Sequence, residues 1–235
     1  MRSKALDASE IRDLRRRSLR GLVQFTVVML LLIFLPAWSL DYWQAWLFLA
    51  VFVASLVLCN EFFLRRDPAL VRRRLRVGPT AEHDPAQKRI QAVASLMLAA
   101  LFILSALDHR FGWSHLPDWA VILGDLAVVA GLLFISRVFI ENTFAAATVQ
   151  VDEGQRVIDT GPYAMVRHPM YTAAIVMLAG VPPALDSAWG LLIIPFAVGI
   201  LAWRLQAEER YLEHHLPGYS EYRRRVRWRL LPGVW

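Results

Sequence analysis

The strongest constraint on this chain is a succession of apolar runs of about twenty residues, parted by short charged passages. Twenty residues of α-helix span the hydrocarbon core of a bilayer. Inside lipid every backbone N–H and C=O must be satisfied within the protein, so a row of such runs implies membrane-spanning helices. The composition agrees: 57% of the 235 residues are hydrophobic, against about 45–50% in an ordinary soluble domain. The expected fold is therefore all-α: a polytopic integral membrane protein forming a single domain over 1–235.

The spans are expected at 21–40, 45–63, 90–107 and 120–140. A shorter run at 171–181, the Pro182-Pro183 pair and a last run at 189–203 read as a C-terminal helical hairpin. Its first arm is too short to cross upright, so it is tilted or crosses only in part. Trp38, Tyr42, Trp43 and Trp46 form an interfacial aromatic belt. Residues 1–20 admit two readings, a short amphipathic surface helix or a basic tail that sets topology. Asn60 and Glu61 read either as functional groups or as markers of the water boundary. Of 26 Lys and Arg, 25 fall on one side of these spans and Arg110 alone on the other. By the positive-inside rule both termini and both polar blocks are expected in the cytoplasm, at the inner membrane if the source is bacterial.

The net charge of +6 is spread beside the apolar runs, which favours membrane lipids over nucleic acid as partners. No obligate protein partner is indicated. A single cysteine, Cys59, excludes an intrachain disulfide, and no Cys/His zinc spacing occurs, so no metal site is expected. No Gly-x-Gly-x-x-Gly, Walker or Gly-x-Ser-x-Gly signature is present.

Two polar blocks carry the candidate chemistry. The first holds Asn142, Gln150, Gly161-Pro162-Tyr163 and Arg167-His168-Pro169-Met170-Tyr171. Gly161-Pro162 favours a turn, and Pro169 tends to extend His168 and to start a helix. The free N–H groups of that helix end would attract an anion, and the tyrosines offer flat faces to a ring or a cation. The alternative is an interfacial turn whose tyrosines and Arg167 anchor headgroups. In the second block Arg204 and Glu208 share a helical face, Glu209 lies a step around, and His214-His215-Leu216-Pro217-Gly218-Tyr219 turns the chain. A solvated salt bridge is the plain reading of Arg204 and Glu208; an active one follows from Arg204 standing where an apolar run ends.

Together, Gly161 to Tyr171, Arg204-x-x-x-Glu208-Glu209-x-x-Leu212 and Pro217-Gly218-Tyr219-x-x-Tyr222-x-x-x-Val226 resemble the isoprenylcysteine carboxyl methyltransferase family. The related phospholipid methyltransferases share part of the pattern. The resemblance covers about 140–232 and leaves out the first three spans. It implies that 141–235 is a methyltransferase-like catalytic region, with 1–140 supplying N-terminal spans. It implies S-adenosyl-L-methionine as cofactor, in a cytoplasmic pocket closed by the C-terminal segment. The acceptor would be lipid-like or a small hydrophobic molecule entering from the bilayer, such as a prenylated cysteine carboxylate. The family's cofactor positions fall on Gln150, Gln155, Arg156, Val157, Ile158, Tyr163, His168, Pro169, Met170, Tyr171 and Glu208. Its acceptor-carboxylate arginine falls on Arg204, which with Glu208 forms the catalytic pair. This chain departs at Gln155-Arg156, where the family carries His and a polar residue. A nicotinamide-dependent membrane reductase of the steroid-reductase type and a non-catalytic scaffold are the rival readings.

Overall fold

A computed structural model describes residues 7–75, 85–144, 151 and 154–235. Among them are eight α-helices: α1 (Ala8–Ala37), α2 (Trp43–Arg66), α3 (Pro68–Arg74), α4 (Pro85–Phe111), α5 (Asp118–Glu141), α6 (Pro169–Ala184), α7 (Ile194–His215) and α8 (Tyr219–Arg225). Single 3-10 turns cover Gly161–Ala164 and Trp189–Ile193. Five helices are long and apolar enough to cross a membrane: α1, α2, α4, α5 and the stretch Trp189–His215. The shorter apolar helix α6 precedes the last of these in the chain and packs mainly against α5. The architecture is thus the expected all-α membrane protein, four spans and a C-terminal hairpin.

The element boundaries differ from those expected at two places. Residues 8–20 are no separate surface helix; they are the first turns of α1, whose 30 residues run without a break into the span. Asp7 starts the helix with a capping box: its carboxylate accepts from Ser9 N and Glu10 N, and Glu10 accepts from Asp7 N. Pro182 and Pro183 do not break the hairpin where they stand. α6 runs through them to Ala184, and the N–H groups of Leu185, Asp186 and Ser187 bond to the carbonyls of 181–183. Each proline lacks the N–H that would bond four residues back, and the helix ends at Ala184, directly after the pair. α6 is also long enough, about 24 Å, to bring Leu185 to the far end of the bundle, where its carbonyl accepts from the Tyr42 hydroxyl.

Close helix packing sets the position of α6. Gly124 and Gly131 of α5 and Gly180 of α6 let the two backbones meet: a Cβ at position 131 would lie 2.6 Å from the Met177 Cβ and 2.9 Å from the Ala173 carbonyl oxygen. Small residues at such contacts are how helices associate in lipid, where apolar side chains gain little by leaving it. The main core joins Met29, Ile33, Phe48, Phe52, Leu101, Phe102, Val128 and Leu178 from five helices.

At the end of the bundle opposite the pocket described below, the connections are tied by acids. Asp108 accepts from Ser114 N (2.8 Å), Ser114 Oγ (2.7 Å), Ser187 Oγ (2.6 Å) and Trp189 N (3.2 Å). Asp186 accepts from Gln44 and from the Leu116 N–H. Tyr42 stacks on His109 with ring centroids 3.7 Å apart.

Candidate functional site

The opposite end holds a hollow of about 820 Å³, open mouth included. Residues from both polar blocks line it: Asn142, Gln155, Arg156, Val157, Ile158, Tyr163, His168, Met170, Tyr171 and Glu208, with Leu212, Leu216, Tyr219 and Tyr222 closing the far wall. Nine of the residues assigned to cofactor or catalysis by resemblance therefore share one cavity. Pro169 is buried as the first residue of α6 beneath it. Gln150 lies outside the described residues.

Each wall has a local cause. Gly161 sits at φ +55°, and a Cβ there would meet the Glu141 carboxylate at 2.6 Å, so the turn needs glycine. Glu141 accepts from Thr160 and Arg137, fixing the turn to the end of α5. Asn142, the C-cap of α5, donates to the Tyr163 hydroxyl at 3.0 Å. Burial pushes the Tyr163 phenol up to about 12 despite the Asn142 bond, so it stays neutral. The Tyr222 hydroxyl donates to the Tyr163 carbonyl at 2.9 Å, drawing α8 onto the turn.

Glu209 is the hub of the C-terminal wall. It is 4% exposed. Arg167 Nε donates to its Oε1 at 2.7 Å, His168 Nε2 lies 3.1 Å from the same oxygen, and Arg229 Nε donates to Oε2 at 3.1 Å. Arg167 also donates to the carbonyls of Val226 and Arg227, both at 2.9 Å. The backbone joins in, with Arg167 N–H bonded to Trp228 O and His168 N–H to Arg229 O. The Thr172 hydroxyl donates to Leu230 O at 2.7 Å. Residues 226–230 are thereby strapped across the start of α6.

Arg204 and Glu208 meet through Tyr171 rather than side by side. The Tyr171 hydroxyl donates to Glu208 Oε2 at 2.6 Å and accepts from Arg204 Nε at 3.2 Å. Arg204 also donates to Gln91 Oε1 of α4. Glu208 faces the pocket while Arg204 stands behind Tyr171, toward α4.

The motifs left several residues unassigned. Arg167 reads from sequence as a headgroup anchor, yet it is 6% exposed and holds the strap. Glu209 reads as a neighbour of Glu208, yet it ties three basic side chains that lie 20, 41 and 42 residues away, a separation no local pattern signals. Arg74 reads as one of many topology-setting arginines. It lies instead over the Phe139 ring, 4.3 Å from its centroid, with Nη1 4.0 Å from Met170 Sδ.

The phospholipid methyltransferase family model matches residues 119–217. The cobalt-zinc-cadmium resistance protein CzcN of Cupriavidus metallidurans is 26% identical over 127 residues, 53% of this chain and 56% of the relative. The nickel-cobalt-cadmium resistance protein NccN of Alcaligenes xylosoxydans xylosoxydans is 23% identical over 100 residues, 42% of this chain and 47% of the relative. The chain thus spans about half the length of the curated relatives it matches. The stretch from α5 to the end of α7, which supplies most of the pocket wall, is the stretch that matches the phospholipid methyltransferase family.

Proposed function

We propose that the protein is an integral membrane methyltransferase that uses S-adenosyl-L-methionine and methylates a lipid-like or small hydrophobic acceptor. The observation that supports this most is the convergence of Gln155 to Ile158, Tyr163, His168, Met170, Tyr171 and Glu208 on one cavity within the matched segment. The residues suit the cofactor: Glu208 offers a carboxylate to its cationic end, while Tyr163, Tyr171 and Tyr222 offer aromatic surface to a ring or a sulfonium. When bound, the cofactor supplies a methyl group already activated on positive sulfur. The protein need only align the acceptor and exclude water, and positioning of that kind supplies about 7–11 kcal/mol. Tyr171 fixes the rotamers of Glu208 and Arg204 together, so cofactor side and acceptor side are set by one hydroxyl. Arg204 grips the acceptor's acidic group where it has one, and the strap on Glu209 holds the start of α6, with His168 and Tyr171, in place.

The test is thermal shift and titration calorimetry of the detergent-solubilised chain with S-adenosylhomocysteine and with NADPH. S-adenosylhomocysteine is expected to stabilise the protein and NADPH to leave it unchanged. Glu208→Ala is expected to weaken S-adenosylhomocysteine by about tenfold or more, the cost of a charged hydrogen bond. Arg204→Lys is expected to keep that affinity and to lose methyl transfer by about a hundredfold, because lysine lacks the two parallel donors. Stabilisation by NADPH alone would replace this reading with a reductase.

A further inference from the structure

Two arginines from elements far apart in sequence flank the Met170–Tyr171 edge of the pocket without lining it. Arg204 comes from α7 and bonds to the Tyr171 hydroxyl. Arg74 comes from α3, and its guanidinium lies against Met170, the residue next to Tyr171 in the first turn of α6. Both side chains are half-buried. Burial, and after it the charge of Arg204, draws the Arg74 guanidinium down to about 10, so two cations that disfavour one another are held charged at the same edge.

α3 is built to hold Arg74 there. Pro68 occupies its first turn and the Asp67 carboxylate caps Leu70 N at 3.0 Å. Leu70 and Val71 bury against Leu14, Phe63 and Phe139, with Met170 packed on the same cluster. The three arginines of its last turn then diverge. Arg73 reaches the Thr143 carbonyl, Arg72 lines a separate groove with Asp13, Arg17 and Arg20 of α1, and Arg74 alone turns toward α6. On the other side, α4 presents Gln91 to Arg204. One turn earlier it presents Gln87, 2% exposed, whose carbonyl oxygen has no partner among the described residues.

We propose that Arg74 and Arg204 form a two-arginine receptor for the oxyanion head of an amphiphilic acceptor, a carboxylate or a phosphate, at the Met170–Tyr171 edge of the pocket. This rests on the methyl-transfer reading and adds to it a specificity-determining residue from outside the matched segment. An anion between the two guanidinium groups would relieve their mutual repulsion and use Arg's fork geometry on both sides. The head would arrive from lipid: α3 follows directly on the span α2, and Arg204 follows the exposed apolar residues Phe196 and Trp203.

The experiment measures binding of laurate, dodecyl phosphate and dodecanol to the full chain in neutral maltoside micelles, with S-adenosylhomocysteine affinity on the same preparation. At least one anionic amphiphile is expected to bind more tightly than dodecanol. Arg74→Gln is expected to weaken it by about tenfold or more. Arg74→Met, which keeps the packing on Phe139 and Met170, is expected to do the same if the Gln variant misfolds. Arg72→Gln should change nothing, and S-adenosylhomocysteine affinity should stay within about twofold in all three. Preference for laurate assigns a carboxylate head, and preference for dodecyl phosphate a phosphate. Equal binding of dodecanol, or equal losses from Arg72→Gln and Arg74→Gln, overturns the receptor, since plain surface charge would then account for binding. A wild-type chain that binds the anion selectively but not S-adenosylhomocysteine would uphold the receptor and sink the methyl-transfer reading instead.

Discussion

At the scale of single residues, Glu209 carries more of the site's integrity than any side chain expected to do its chemistry. It compensates Arg167, itself 5% exposed at the side chain, and is shared with His168 and Arg229. Removing one member of a buried ion pair strands the other, at about 3–5 kcal/mol. Glu209→Ala is therefore expected to lower the melting temperature by roughly 10 °C and to free the 226–230 strap, read as faster proteolysis after position 225. Glu208→Ala, on the adjacent residue, should cost affinity for S-adenosylhomocysteine and little stability. Equal stability losses would contradict this division of labour. Sequence made Glu208 legible through its i,i+4 spacing from Arg204, but the link between them was hidden. It is the hydroxyl of Tyr171, some thirty residues upstream, and no local pattern encodes a contact at that separation.

At the scale of elements, hydropathy was enough to find the spans, because lipid forces each apolar run into a helix. It gave no hint that α1 begins at residue 8, since charged and apolar turns are equally compatible with one continuous helix. Nor did it disclose how α6 is placed, because packing by absence of a side chain leaves no apolar signature. The contrast between two glycines tests this. Gly131→Ala inserts a Cβ within 2.6 Å of Met177 and is expected to destabilise by about 1–3 kcal/mol. It should also weaken S-adenosylhomocysteine, since α6 carries His168 and Tyr171. Gly199→Ala meets nothing within 4 Å and should be neutral or stabilising by up to about 1 kcal/mol. Similar melting temperatures for the two variants would mean that the α5–α6 contact is not the tight one.

At the scale of the whole molecule, the two ends are chemically unlike. One end gathers Asp108, Asp186, Tyr42 and His109, and the other gathers the pocket and nearly all the arginines. We expect the pocket end to face the cytoplasm, since along the sequence 25 of the 26 basic residues fall on the side of the spans that carries both polar blocks. With Cys59 replaced by serine, single cysteines at exposed Asp118 and exposed Ser220 check this in intact cells. An impermeant thiol reagent should label position 118 and spare position 220; the reverse pattern inverts the orientation.

The strap has a consequence for biosynthesis. Residues 167 and 168 find their backbone partners at 228 and 229, in a segment that follows every span along the chain. The helices can be inserted and packed while the strap that holds the start of α6 has yet to dock. A nascent chain would then pass through a stage in which it is a finished membrane protein and an unfinished binding site. A chain ending before residue 226 should hold that stage: it resists extraction from the bilayer yet retains no S-adenosylhomocysteine.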